Sequence, residues 1–191
     1  MKTTTTLYSI LLGGLAFLGT AATASAQSDN ATDNHTVTVE IPVVALLDLE
    51  VATGTKNLTA TFTQTAEAGE AITAPANDNT IWLNYSSIQN GTKDKRVDVS
   101  LETLVPGVDI KLSANAATTG AGTKGVPAGA QLTLTSSPQI IINGIGSAYT
   151  NTGASAGHQL IYSFAANTTN YGNLKSGTQT AVKVIYTLAE N

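Results

Sequence analysis

Residues 35–41 read His35-Thr36-Val37-Thr38-Val39-Glu40-Ile41, with Pro42 directly after them. Val37, Val39 and Ile41 fall on one side of an extended chain, and Thr36, Thr38 and Glu40 on the other. Strict two-residue alternation of this kind marks a β-strand with one apolar face. A proline, which lacks the N–H a ladder needs, marks a strand end or an edge.

The same period recurs after the break. Leu47, Leu49 and Val51 alternate with Asp48 and Glu50, and Leu58, Ala60 and Phe62 with threonines. Residues 80–85 place Ile81, Leu83 and Tyr85 on one side. Val97, Val99 and Leu101 alternate with Asp98, Ser100 and Glu102; Val108, Ile110 and Leu112 alternate with Asp109 and Lys111. Leu132 and Leu134, the apolar run 139–142, and the segments 158–165 and 180–188 complete the series. No helical period appears beyond the first residues. About ten short strands separated by Gly, Asn, Pro and Ser predict an all-β fold. The expected architecture is a single antiparallel β-sandwich, Greek-key or immunoglobulin-like or pilin-like, over residues 35–191. The segments 113–129 and 143–157, rich in Gly, Ala, Thr and Ser, are expected as loops.

The N-terminus has a different character. Met1-Lys2, an apolar stretch from Leu7 to Leu18 and the triplet Ala24-Ser25-Ala26 have the order of a cleavable signal peptide over residues 1–26. Its apolar core is shorter than the roughly 20 residues a membrane-spanning helix needs. No later segment approaches that length, so no membrane span is expected after cleavage. Residues 27–34 read as a disordered polar leader. The expected location is outside the inner membrane: periplasm, cell surface or medium. The length remaining suits one domain, which at this size buries roughly 70% of the surface its unfolded chain exposes. Such a core stands without disulfides, and the chain has no cysteine.

Composition excludes several functions. Charged residues make up 12% of the chain, with 9 basic and 13 acidic; no basic stripe exists for nucleic acid to follow. Two histidines, His35 and His158, and no thiol leave no set of zinc ligands, and neither a metal nor another cofactor is expected. Asn77-Asp78-Asn79 lacks calcium-loop spacing and reads as an Asx turn.

Two motif matches lack the context their chemistry requires. Gly153-Ala154-Ser155-Ala156-Gly157 fits the G-x-S-x-G of a nucleophile elbow, but no helix follows it and no histidine lies beyond His158. Gly120, Gly122 and Gly125 fit G-x-G-x-x-G, but Val126-Pro127 follows where a phosphate-binding helix would begin. The pairs Asp48/Glu50 and Asp98/Glu102 sit on polar strand faces, as solvated carboxylates do. No catalytic residue is assigned, and no enzyme is expected.

Two binding candidates remain. Trp82, the only tryptophan, alternates with Ile81 and Leu83 and so falls on a face with Asn84 and Ser86. There it is either a stacking platform for a glycan, with Asn84 beside it, or a cover for one end of the sandwich under a loop. The second candidate is the strand at 36–41. It either pairs within its own domain or leaves to complete the sheet of a neighbouring copy, with Val37, Val39 and Ile41 filling that neighbour's pockets.

The combination HTVTVEIPVVALLDLE at 35–50, IWLNYSSI at 81–88 and the closing YTL resembles a family of uncharacterised exported β-sandwich proteins of Bacteroidetes-type bacteria. The resemblance spans most of the mature chain and implies no named activity. Its likeness to chaperone–usher pilins is architectural, and the disulfide those pilins often carry is absent. The expected function is a non-enzymatic structural or adhesive subunit on a Gram-negative surface, partnered by copies of itself or other surface proteins. The alternative is a secreted carbohydrate- or matrix-binding module whose partner is a glycan.

Overall fold

The computed structural model describes residues 32–177 and 181–191. The signal peptide expected at 1–26 and most of the polar leader lie outside the described residues. The chain divides into a unit of residues 1–39 and a unit of residues 40–191. Of the first, residues 32–39 are described; they form no helix or strand and are exposed.

The second unit is all-β. Among the described residues its strands are β1 (Val44–Val51), β2 (Ile81–Ile88), β3 (Lys95–Leu101), β4 (Val108–Ala114), β5 (Ala121–Pro127), β6 (Leu132–Thr133), β7 (Gln139–Tyr149), β8 (His158–Ala166) and β9 (Val184–Glu190), with a 3-10 turn at Tyr171–Asn173. Every pairing is antiparallel. One series of neighbours runs β1-β2-β8-β4-β6 and another β9-β3-β7-β5. The C-terminal end of β7 joins them by pairing Ala148 and Tyr149 with Ser87 and Ser86 of β2. β1 approaches β9, and β4 approaches β7, without pairing. The sheet therefore doubles over into two layers, as a sandwich does.

Alternation places the core. Ile81, Leu83 and Tyr85 of β2, Val97, Val99 and Leu101 of β3, and Leu160 and Tyr162 of β8 point inward and are buried, as are Leu112, Ile141, Ile142 and Ile145. Fully burying an aliphatic side chain stabilises the fold by about 1.5–3 kcal/mol. The layers are also tied by a polar contact. The hydroxyls of Tyr162 in β8 and Tyr186 in β9 lie 2.5 Å apart. Burial pushes the Tyr162 phenol up to about 12.

Three expectations about elements are corrected. Residues 58–63 form no strand; only Thr63 makes an isolated bridge, to Thr73. Its alternate positions are threonines, and one short apolar face with no long partner does not hold a ladder. The expected loop at 143–157 is strand as far as Tyr149. The expected loop at 113–129 contains β5, because its glycines permit a close approach. Gly120 and Gly122 have φ of +79° and +84°, and a Cβ on either would overlap a carbonyl oxygen of β7, that of Tyr149 or Ser147 respectively. The G-x-G-x-x-G spacing is thus a bulged edge strand pressed against a neighbour's backbone.

Candidate functional site

The sequence candidate at residues 36–41 forms no strand. The first strand begins at Val44, and nothing from 32 to 43 belongs to a strand. Val37, Val39 and Ile41 are 70%, 75% and 73% exposed, and Val43 follows at 57%. By sequence parity an extended chain would carry them on one side and Thr36, Thr38 and Glu40 on the other. Isolated exposed valines are ordinary; here four apolar residues stand exposed within seven positions. Local chemistry disfavours a tight turn between this segment and β1. A tight two-residue hairpin from Ile41 to Val44 would turn at Pro42-Val43. The favoured hairpin turns need a positive φ at their first central residue, and proline is fixed near −65°.

The second sequence candidate divides. Trp82 is half-buried in the middle of its layer, opposite Glu50 of β1 and Gln159 of β8. Asn84 is 5% exposed, and its amide donates to the carbonyl of Gly153 at 2.9 Å. Asn84 therefore pins the 153–157 loop and does not stand beside Trp82 as an open polar group.

An open depression of about 580 Å³ does lie on this part of the surface. It is bordered by Leu46 and Asp48 of β1, Asn84 and Ser86 of β2, Tyr149 and Asn151. Its exposed aromatic is Tyr149, 51% accessible. Sequence reasoning missed that residue, since it sits in a stretch expected to be loop. The one usable signal was its place at the end of alternating Gly and small residues.

Several other polar groups are held in structural contacts. His158 is fully buried; its Nδ1 donates to the carbonyl of Asn115 at 2.9 Å, and its Nε2 lies 3.0 Å from the Tyr85 hydroxyl. That hydroxyl donates to the carbonyl of Lys124, and the two rings stack with centroids 5.6 Å apart. The cluster bolts β2, β5 and β8 together at the end of the core. Burial holds the imidazole below its ordinary 6.5 and raises the Tyr85 phenol above its ordinary 10. The ring nitrogens of His158 face the Asn115 carbonyl and the Tyr85 hydroxyl, while Ser155 is an exposed loop residue with φ of +66°. The elbow motif thus brings no base to its serine.

Several carboxylates are similarly engaged. Asp48 meets Lys56 at 2.9 Å, Asp98 meets Arg96 at 3.0 Å and Glu102 meets Lys183 at 3.2 Å. Asp78 accepts from the backbone N–H and hydroxyl of Thr80 at 3.0 and 2.7 Å, the Asx turn expected there. Among the described residues no three His, Cys, Asp or Glu gather where a metal ion would bind. No described helix is long and apolar enough to cross a membrane.

No protein-family model, curated protein or solved structure matches this chain.

Proposed function

We propose that the chain is a non-enzymatic, exported structural subunit of a cell surface that joins copies of itself through residues 36–41. One observation carries this reading: the most regular alternating segment near the N-terminus lies outside every strand, with Val37, Val39 and Ile41 each at least 70% exposed. A strand-forming segment with a bare apolar face gains a ladder and a core when it is added to another sheet. The signal-like first 26 residues support export, and the low-charge, hydroxyl-rich composition suits close packing of like surfaces. The buried Asn84 and half-buried Trp82 favour this over the glycan-binding alternative.

The test is negative-stain electron microscopy of residues 27–191 beside the same chain carrying Val37→Asp, Val39→Asp and Ile41→Asp. Filaments or regular oligomers from the unaltered chain, absent from the triple variant, are the expected result. Compact monomers from both would overturn it.

A further inference from the structure

Three strands build a slot on the outer face of the sheet, where β7 joins β2. Leu46 of β1 is the cross-strand partner of Ser86 in β2, and Ser86 is in turn the partner of Tyr149 in β7. The adjacent Leu47, Tyr85 and Ala148 turn toward the core, so alternation puts Leu46, Ser86 and Tyr149 on the opposite face. Leu46 is 66% exposed and Tyr149 51%, with the short Ser86 between them. Two large, carbon-rich side chains therefore wall a floor one strand wide.

Spacing sets what the slot can hold. Neighbouring strands lie about 4.7–4.9 Å apart, so the two walls rise from backbones roughly 10 Å apart. A flat ring packed at about 3.5–4.0 Å from each wall needs roughly 7–8 Å between them. One ring fits between Tyr149 and Leu46. The depression around them, about 580 Å³, has the size of a small-molecule site.

The next row along the strands is polar. Asp48 of β1 is the partner of Asn84 in β2, and Asn151 and Thr152 border the same depression where the chain leaves β7. The Asn84 amide donates to the carbonyl of Gly153, but its Oδ1 is buried without a partner. An unpaired buried acceptor is destabilising, and this one belongs to the row where a ligand's hydroxyl donors would lie. Asp48 is ion-paired with Lys56 at 2.9 Å, so this border favours neither an anion nor a cation.

We propose that the slot binds a neutral saccharide, one sugar ring standing between Tyr149 and Leu46 with its hydroxyls toward Ser86, Asp48 and Asn151. A ring whose hydroxyls are all equatorial presents C–H groups on both faces, and both walls here are apolar. The ligand class is therefore β-linked oligosaccharides of gluco configuration. A galacto-configured ring has an axial hydroxyl on one face and would set it against a wall. A proline-rich peptide also fills aromatic grooves, but it lacks the hydroxyl donors that the polar row calls for. The site goes beyond the assembly reading: residues 36–41 take no part in it, and Trp82 does not border it.

The test is calorimetric titration of cellotetraose, chitotetraose and a β-galactan tetrasaccharide into residues 27–191. At least one gluco-configured probe is expected to bind, and the galactan to bind about ten-fold more weakly or not at all. Tyr149→Ala and Leu46→Ala are each expected to weaken binding by about ten-fold. Tyr149→Phe keeps the ring and is expected to keep the affinity, as is Trp82→Ala. Thermal unfolding without ligand checks that each variant is folded. Ser86→Leu fills the floor from a different strand and is expected to abolish binding, so the result does not hang on one substitution.

No binding of either gluco-configured probe would overturn the proposal. Binding that survives Tyr149→Ala and Ser86→Leu would place the ligand elsewhere, and loss only in Trp82→Ala would place it at Trp82. Equal affinity for the galactan would overturn the two-walled slot. A proline-rich peptide that binds where the sugars do not would make the slot a peptide site.

Discussion

Residues 37–41 and 97–101 carry the same pattern and meet opposite fates. Each is three apolar side chains in alternation with polar ones. Val97, Val99 and Leu101 are 0%, 0% and 3% exposed, whereas Val37, Val39 and Ile41 are 70%, 75% and 73% exposed. β3 has β7 on one side and β9 on the other, and the earlier segment belongs to no strand. Alternation therefore describes a capacity that the neighbours make real. The hydrophobic gain lies in the covering of the face, since strand geometry alone removes little surface from water.

A charge placed in each segment breaks the comparison most sharply. Val99→Asp buries a carboxylate without a partner and is expected to cost on the order of 4 kcal/mol or more, unfolding much of the protein. Val39→Asp in dilute solution is expected to change stability by less than about 0.5 kcal/mol, because its side chain is already in water. Urea denaturation of both variants checks this. An equal loss in the two would mean that residues 36–41 are covered after all.

Backbone approach gives a smaller effect and asks whether neighbouring strands are fixed as closely as neighbouring side chains. Gly120 and Gly144 both have a positive φ, +79° and +68°, but only Gly120 faces a carbonyl oxygen where a Cβ would stand. Gly144→Ala is expected to cost about 1–2 kcal/mol from the left-handed conformation. Gly120→Ala adds the displacement of β5 from β7 and is expected to cost about twice that. Equal losses in thermal unfolding would mean that β5 yields at little cost.

The smallest expected effect concerns pH. Burial depresses the folded pKa of His158 below its ordinary 6.5. The unfolded chain then takes up the proton first, so the stability His158 contributes is present above pH 6.5 and is lost as pH falls through the folded value. The unfolding temperature is expected to decline from about pH 6.5 downward, with a shallower slope in His158→Gln. An unchanged slope would assign the acid sensitivity to carboxylates instead.

Most of the core was legible in the sequence because β2, β3, β4, β8 and β9 each alternate apolar residues that pack on the core with more polar ones that turn away from it. β5 was hidden, since a strand built on Gly120, Gly122 and Gly125 carries almost no side-chain pattern for its backbone contact with β7. β7 was read short for a related reason: between Ile145 and Tyr149 its side chains, Gly146, Ser147 and Ala148, are too small to show alternation. The Leu58–Thr63 segment errs the other way, with a pattern but no partner.

The candidate site was legible by half. The stripe at 37–41 is plain in the sequence, but its exposure is not, because that depends on what lies beside it. Asn84 shares a face with Trp82 by parity, yet its burial comes from the 153–157 loop, 69 residues away, a distance that parity cannot see.

Pro42 and Val43 are the only residues between Ile41 and the first residue of β1. In a row of subunits joined by donated strands, that connector spans roughly 10 Å at full stretch, leaving little slack at each joint. A pull along such a row would run from sheet to sheet through backbone, loading each ladder in shear, where its hydrogen bonds resist together and do not open one by one. The short connector would make the row behave as a cable of stiff links, with its strength set by the ladder and its bending by two residues.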